Sequence, residues 1–200
     1  MKLYWCPKTR SLRILWLMEE SGLPYERVVQ NIRDAEAKND PAFRAISPMG
    51  KVPAFEDGPV RLWDSGAIAT YLADQYPETK LGISVGDPNR GAYLQWLMFT
   101  NSVVEPAMGE KFANLPSNPS SYGWGSWDLM LEVFRAGVEK GPFLFGEHFT
   151  GADVLMGMSA QYMREFGMLK DDPVLFGYAA RCIERPAYKR AIELEASTKL

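Results

Sequence analysis

Residues 47–77 read SPMGKVPAFEDGPVRLWDSGAIATYLADQYP, and this stretch decides the first half of the fold. Two short apolar runs, VPAFE (52–56) and VRLW (60–63), flank Asp57-Gly58-Pro59, a turn signal between two strands. Asp64-Ser65 then opens a helix, with Ile68, Tyr71, Leu72 and Gln75 or Tyr76 at helical spacing and Pro77 at its end. Pro53 lacks an N–H, so on residue chemistry alone it suits the first position of an edge strand. The stretch predicts a β-hairpin followed by a helix.

Working back towards residue 1, KLYWC (2–6) is short, aromatic and apolar, and fits a buried strand. Ser11 to Ser21 is helical, closed by Gly22 with Pro24 just beyond. Its apolar residues fall on two faces, Leu12, Leu15 and Trp16 on one and Ile14, Leu17 and Met18 on the other. Such a helix should be covered on both sides. Tyr25 to Gln30 is a second strand. Residues 1–77 thus read β-α-β, a loop, then β-β-α.

Residues 77–88, PETKLGISVGDP, mix Pro, Gly and polar groups without period and read as a linker. No strand pattern follows. A long helix over 89–112 carries Tyr93, Leu94, Leu97 and Met98; PSNPSSYGWGSW (116–127) is a break. Trp127, Met130, Leu131, Phe134 and Val138 mark one face of a further helix. Thr150-Gly-Ala-Asp153 is a capping box with Asp in place of Glu, ahead of Leu155, Met158, Tyr162 and Phe166. A helix over 173–183 follows, and Pro186 suits the first turn of a last one. The expected domains are an α/β unit, 1–77, and an all-helical unit, 88–200.

Composition narrows the function. The 200 residues are 46% apolar, enough for a sizeable core. A formal net charge of −3 with no long run of one sign excludes a phosphate-tracking surface, so no nucleic-acid partner is expected. The opening MKLYWCPKTR is too charged for a signal peptide, and the apolar run Ile14–Met18 is too short for a bilayer, so no membrane association is expected. Two distant cysteines, Cys6 and Cys182, and one histidine, His148, offer neither a disulfide framework nor a metal site. The expectation is a cytoplasmic protein without a metal.

The matching residues Gly50, Val52-Pro53, Asp64-Ser65, Ala67-Ile68, Tyr71-Leu72 and Tyr76-Pro77 make the chain resemble the cytosolic glutathione transferase family. The likeness continues at ILWLMEESGLPYE (14–26), TGADVLMG (150–157) and ERPAYKR (184–190), so it covers essentially the whole chain. It is of bacterial type and matches no single class cleanly. The resemblance implies a thioredoxin-like N-terminal domain (βαβ-ββα) followed by a helical-bundle domain. It also implies glutathione as cosubstrate, a small hydrophobic electrophile as second substrate, detoxification chemistry and a homodimer.

Glutathione presents a γ-glutamyl carboxylate and ammonium, a cysteinyl peptide unit and a glycyl carboxylate. Ser65 at the first turn of a helix offers a hydroxyl and backbone N–H groups at the positive dipole end, suited to the first carboxylate, and Asp64 can take the ammonium. The residues alone equally allow Ser65 to be a plain N-cap with Asp64 beside the dipole. Asp64 is shorter than the Glu or Gln more usual in the family. The resemblance further implies a cis Val52–Pro53 bond that turns the Val52 backbone towards the cysteinyl unit. Lys51, and Lys38 in the preceding loop, are candidates for the glycyl carboxylate. Aromatic residues after the break, Tyr122, Trp124 and Trp127, together with Met108 and Phe112, are candidates for an apolar cleft or for packing.

The segment WCPKTRSLR (5–13) must then stabilise the glutathione thiolate. A hydroxyl donor, a cation and a helix N-terminus each favour the anion. The turn supplies Thr9 and Ser11, Arg10, and the start of the first helix. Counting back from Gly22 without gaps, Arg10 falls where the bacterial beta class places its Cys, and Lys8 where omega and tau classes place Cys or Ser. Cys6 lies upstream of both and lacks the second thiol of a CxxC, since position 9 is Thr. The expected activity is transfer of the glutathione thiolate to an electrophile, with Ser11 or Thr9 and Arg10 as activating groups and Cys6 secondary. Two other readings stay open: a glutathione-dependent thiol-disulfide oxidoreductase using Cys6 as nucleophile, and a non-catalytic glutathione- or hydrophobe-binding protein.

Overall fold

The computed structural model describes residues 1–200. They form two compact units, 1–79 with 186–200, and 80–185.

The first unit is built on a four-stranded sheet in the order β2-β1-β3-β4. Strand β1 (Lys2–Trp5) is followed by helix α1 (Leu12–Ser21) and β2 (Glu26–Val29), then by two short helices, α2 (Ala35–Asn39) and α3 (Pro41–Ile46). The hairpin β3 (Ala54–Asp57) and β4 (Val60–Trp63) leads into α4 (Ser65–Gln75) and a 3-10 turn over Pro77–Thr79. β1 runs parallel to β2 and antiparallel to β3. This is the βαβ-ββα order of a thioredoxin-like unit, as the residue pattern predicts. The stretch 30–46, which sequence periodicity leaves as a loop, holds α2 and α3. Each is begun by an aspartate whose carboxylate accepts from a backbone N–H three residues on, Asp34 from Ala37 and Asp40 from Phe43.

Every residue of α1 from Leu12 to Met18 is buried, which fits its two apolar faces. It packs on β1, on α4 and on the last helix, α10 (Pro186–Ser197). Gly22 ends it in a left-handed conformation, φ 65°. The α10 contact is a difference from the sequence-based boundary, which puts 186–200 in the helical domain. Here Tyr188 lies edge-on to Trp16, ring centroids 5.1 Å apart, and Arg190 Nε meets Glu19 Oε2 at 3.1 Å. The physical reason is α1 itself: a helix apolar all round needs a second cover, and the Ala187, Tyr188, Ala191 face of α10 supplies it. Burying a side chain the size of Tyr188 or Trp16 contributes on the order of 1.5–3 kcal/mol.

The second unit is helical: α5 (Arg90–Phe99), a π-helical turn (Thr100–Val104), α6 (Glu105–Phe112), α7 (Trp127–Val138), α8 (Gly151–Glu165) and α9 (Pro173–Ile183). The π turn has a local cause. Pro106 has no N–H, so the Ser102 carbonyl loses its α-helical partner and the ladder slips by one residue. The capping box forms as its residues predict, and Asp153 does more than cap. Its carboxylate accepts from the Leu144 and Thr150 N–H groups, the Thr150 hydroxyl and the Tyr178 hydroxyl, all at 2.9 Å. Burial pushes this carboxyl up while those four donors pull against it. The same apolar surroundings push the Cys182 thiol well up, so Cys182 is an inert core thiol. No helix is long and apolar enough to cross a membrane.

Candidate glutathione site

The sheet register gathers the candidate residues. Tyr4 pairs with Ala54, and Ala54 in turn with Trp63, so the end of β1, the start of β3 and the end of β4 lie at one edge of the sheet. Trp5 pairs with Val29, which brings the end of β2 to the same edge. Four loops therefore converge there: the turn 6–11, the segment 30–34, the approach 47–53, and Asp64-Ser65. Each glutathione-site candidate of the sequence reading except Lys38, which stands on α2, belongs to one of them.

The turn 6–11 is a closed hydrogen-bond network. The buried Cys6 N–H donates to Ser11 Oγ at 3.0 Å. Thr9 Oγ1 lies 2.7 Å from both Cys6 O and Ser11 Oγ, and Ser11 Oγ lies 3.1 Å from Cys6 O. Two hydroxyl hydrogens are thus shared among the Cys6 carbonyl and the two oxygens themselves. Both oxygens accept a backbone N–H, Ser11 Oγ from Cys6 at 3.0 Å and Thr9 Oγ1 from Ser11 at 3.2 Å, but Ser11 is fully buried whereas Thr9 is half-buried. Arg10 is half-buried beside them, ahead of the first N–H groups of α1.

Cys6 is also fully buried, in an apolar cluster with Phe43, Ile46, Val52 and Ala54. Its sulfur accepts from Arg33 Nη1 at 3.1 Å. It is a thiol packed beneath the turn. Tyr4 turns away, its hydroxyl donating to Glu56 Oε2 at 2.7 Å. Desolvation, reinforced by that carboxylate, pushes the Tyr4 phenol up to about 12.

The Val52–Pro53 bond is cis, as the resemblance implies. The chain leading to it is fixed by Ser47, whose hydroxyl accepts the Lys51 N–H at 3.1 Å and donates to Lys51 O at 2.8 Å. Gly50 requires its lack of a side chain: φ is 62°, and a Cβ would stand 2.7 Å from Arg44 Nη1 and 2.9 Å from Lys38 O. Lys38 and Arg44 therefore close over Gly50, next to the exposed Lys51.

Asp64, not Ser65, is the N-cap of α4. Its Oδ1 accepts from the Gly66 N–H at 2.9 Å and the Ala67 N–H at 3.4 Å. Asp64 adopts φ 80°, ψ 129°, a left-handed backbone for a residue with a Cβ. Holding that conformation costs on the order of 1–3 kcal/mol, and such positions cluster where a ligand is gripped. Ser65, 6% exposed, occupies the first helical position beside the capped N–H groups.

Three residues here escaped the sequence reading: Arg33, Arg44 and, from α10, Glu195, whose Oε1 accepts the Lys8 N–H at 2.8 Å. None sits in a motif, and only the fold brings them to the edge. The five aromatic-cleft candidates of the helical unit do not form one cleft. Tyr122 and Trp124 stack at 4.5 Å and line a cavity of about 260 Å³ with Phe99, Val103 and Leu129. Phe112 stands apart, edge-on to Phe166, Met108 is buried, and Trp127 lies under Lys111.

Comparison with known proteins agrees with this geometry. The family model described as glutathione S-transferase, N-terminal domain, matches residues 1–74. A glutathione S-transferase of Hyoscyamus muticus is 26% identical over 201 residues, covering 91% of this chain and 92% of that protein. The disulfide-bond oxidoreductase YfcG of Escherichia coli K12 is 29% identical over 165 residues, covering 76% and 75%. Among solved structures, a sphingomonad glutathione S-transferase complexed with glutathione superposes with TM-score 0.78 at 27% identity, covering 99% of this chain and all of that one. The bacterial enzyme BphK in ternary complex gives TM-score 0.79 at 26% identity, covering 98% and 100%. With a thioredoxin-like sheet, a cis Val52–Pro53 and a capped Asp64-Ser65 at one edge, residues 1–74 match the glutathione S-transferase N-terminal domain, and the whole chain is similar to glutathione S-transferases.

Proposed function

We propose that this protein is a glutathione transferase that binds glutathione across the converging loops and passes its thiolate to a small hydrophobic electrophile. The observation that carries the proposal is the convergence itself: a hydroxyl-bearing helix-start turn, a cis Val-Pro and a helix N-terminus bearing Asp64-Ser65 share one sheet edge. The γ-glutamyl carboxylate goes to the Ser65 hydroxyl and the N–H groups of α4, and the ammonium to Asp64. The Val52 backbone pairs with the cysteinyl unit, and Lys51 and Lys38, with Arg44, face the glycyl carboxylate.

At the sulfur, Thr9 is the activating hydroxyl and Ser11 its support. When Ser11 donates to Cys6 O, the Thr9 hydrogen is released to turn towards the ligand sulfur, and no buried carbonyl is left unpaired. Arg10 and the α1 N-terminus add positive potential for the thiolate. The thiolate then attacks the electrophilic carbon; the C–S bond forms as the leaving group departs with the bonding pair. The enzyme is proposed to act as a cytoplasmic homodimer, a reading that rests on the family resemblance and is tested by light scattering of the purified protein.

One observation favours a second reading, thiol-disulfide exchange through Cys6: the likeness to the YfcG oxidoreductase. Against it stand the full burial of Cys6 and the absence of a second cysteine in its unit. Steady-state assays with an aromatic halide and with a glutathione mixed disulfide separate the two. Halide conjugation that survives Cys6→Ala supports the transferase; disulfide reduction abolished by Cys6→Ala supports the oxidoreductase. Glutathione binding without either activity overturns both.

A further inference from the structure

The turn 6–11 is held from outside by two charged side chains that lie far from it in sequence. Arg33, in the segment between β2 and α2, donates from Nη1 to Cys6 Sγ at 3.1 Å. Its Nη2 donates to Pro7 O at 3.0 Å and to Lys8 O at 3.3 Å. Three consecutive residues are thereby tied to one guanidinium. Arg33 is itself set by its backbone, whose N–H donates to Asn31 Oδ1 at 3.0 Å in a turn that runs into the Asp34 cap of α2. From another direction Glu195 on α10 takes the Lys8 N–H at 2.8 Å. The peptide unit joining Pro7 and Lys8 therefore has its carbonyl on Arg33 and its N–H on Glu195. Lys8, between them, holds φ 57°, a left-handed backbone that a lysine adopts only under constraint.

We infer that Arg33 and Glu195 are positioning residues that clamp the Pro7–Lys8 peptide and so aim the Thr9 hydroxyl at the glutathione sulfur. The inference rests on the turn being the thiol site proposed above. It also gives the last helix a role in the reaction, since folding of α10 onto α1 delivers Glu195. A planar fork is needed on the Arg33 side, because two nitrogens must reach a sulfur and two carbonyls together; a lysine point charge cannot do so. On the Glu195 side only an acceptor is needed, so a glutamine serves.

The test compares Arg33→Lys, Glu195→Ala and Glu195→Gln with the unmodified protein in three readouts. These are the ultraviolet absorbance of bound glutathione thiolate against pH, kcat and KM for an aromatic halide, and thermal unfolding. Misplacing the donor by one hydrogen bond should raise the pH at which bound glutathione ionises by about one unit, and lower kcat about tenfold below that pH with little loss above it. That outcome in Arg33→Lys and Glu195→Ala, with KM for glutathione nearly unchanged and near-normal behaviour in Glu195→Gln, supports the clamp. Variants that unfold at the usual temperature and ionise bound glutathione at the unmodified pH overturn it. A uniform loss at all pH values also overturns it, because it marks a merely structural contact. If the unmodified protein produces no bound thiolate signal at all, the thiol-site reading fails first and takes the clamp with it.

Discussion

Thr9→Val and Ser11→Ala should differ in the pH dependence of activity more than in stability, because each hydroxyl oxygen accepts a backbone N–H of the turn. Ser11→Ala removes the acceptor of the Cys6 N–H, a donor on a fully buried residue. An unsatisfied buried N–H costs on the order of 1–3 kcal/mol, so the midpoint of urea unfolding should fall clearly. Thr9→Val keeps the shape of the side chain and leaves Ser11 to serve both Cys6 O and Cys6 N–H, at 3.1 and 3.0 Å. It does strip the Ser11 N–H of its acceptor, Thr9 Oγ1 at 3.2 Å, so its stability cost should also be on the order of 1–3 kcal/mol. What sets it apart is its catalytic cost. A hydrogen bond to a thiolate is a bond to a charged group, worth roughly 1.5–3 kcal/mol, or about 10- to 150-fold in kcat/KM near neutral pH. The loss should shrink as pH rises past the free thiol range near 8.5, where the thiolate forms unaided. Urea titrations and pH–rate profiles of both variants decide the matter. A Thr9→Val enzyme with full activity at neutral pH, or a Ser11→Ala protein as stable as the original, would refute the assignment.

Other perturbations follow from the same geometry. Asp64→Asn keeps an N-cap oxygen and tolerates the left-handed backbone, so it should unfold normally yet bind glutathione more weakly by roughly 1.5–3 kcal/mol in calorimetry; unchanged affinity would place the ammonium elsewhere. Gly50→Ala should cost stability and glutathione affinity together, by at least about 1 kcal/mol in unfolding, because its Cβ meets Arg44 and the Lys38 carbonyl at a positive φ. Tyr4→Phe should change kcat/KM less than about twofold, since the Tyr4 hydroxyl is spent on Glu56. The folded phenol sits above its unfolded value of 10.0, so its stabilisation is whole below that pH and is lost as pH rises through about 12. Alkaline spectrophotometric titration, with Tyr4→Phe as the reference, checks this.

The hairpin, α1 and the capping box were legible because each carries its own signal: Asp57-Gly58-Pro59, a closing Gly22 with Pro24, and Thr150 with Asp153. Helices α2 and α3 were not, since five and six residues give no readable period and only their Asp caps announce them. The placement of α10 depends on which surface α1 leaves uncovered, a tertiary fact that the amphipathic pattern of 186–197 does not contain. At the proposed site, Val52, Pro53, Asp64 and Ser65 were named through the family resemblance, whose motif is local in the chain. The difference between Thr9 and Ser11 was invisible, because adjacent hydroxyls look alike until burial separates them. Arg33, Arg44 and Glu195 reach the edge from loops and helices brought there by sheet register and packing, and no spacing in the chain encodes that meeting.

The most direct measurement is a crystal structure of the protein soaked with glutathione, read at the ligand sulfur. The account predicts the sulfur within hydrogen-bond reach of Thr9 Oγ1, the γ-glutamyl carboxylate on Ser65, and Cys6 still buried against Val52 and Arg33. A covalent bond from glutathione to Cys6 Sγ, or a ligand seated away from the turn 6–11, would contradict it.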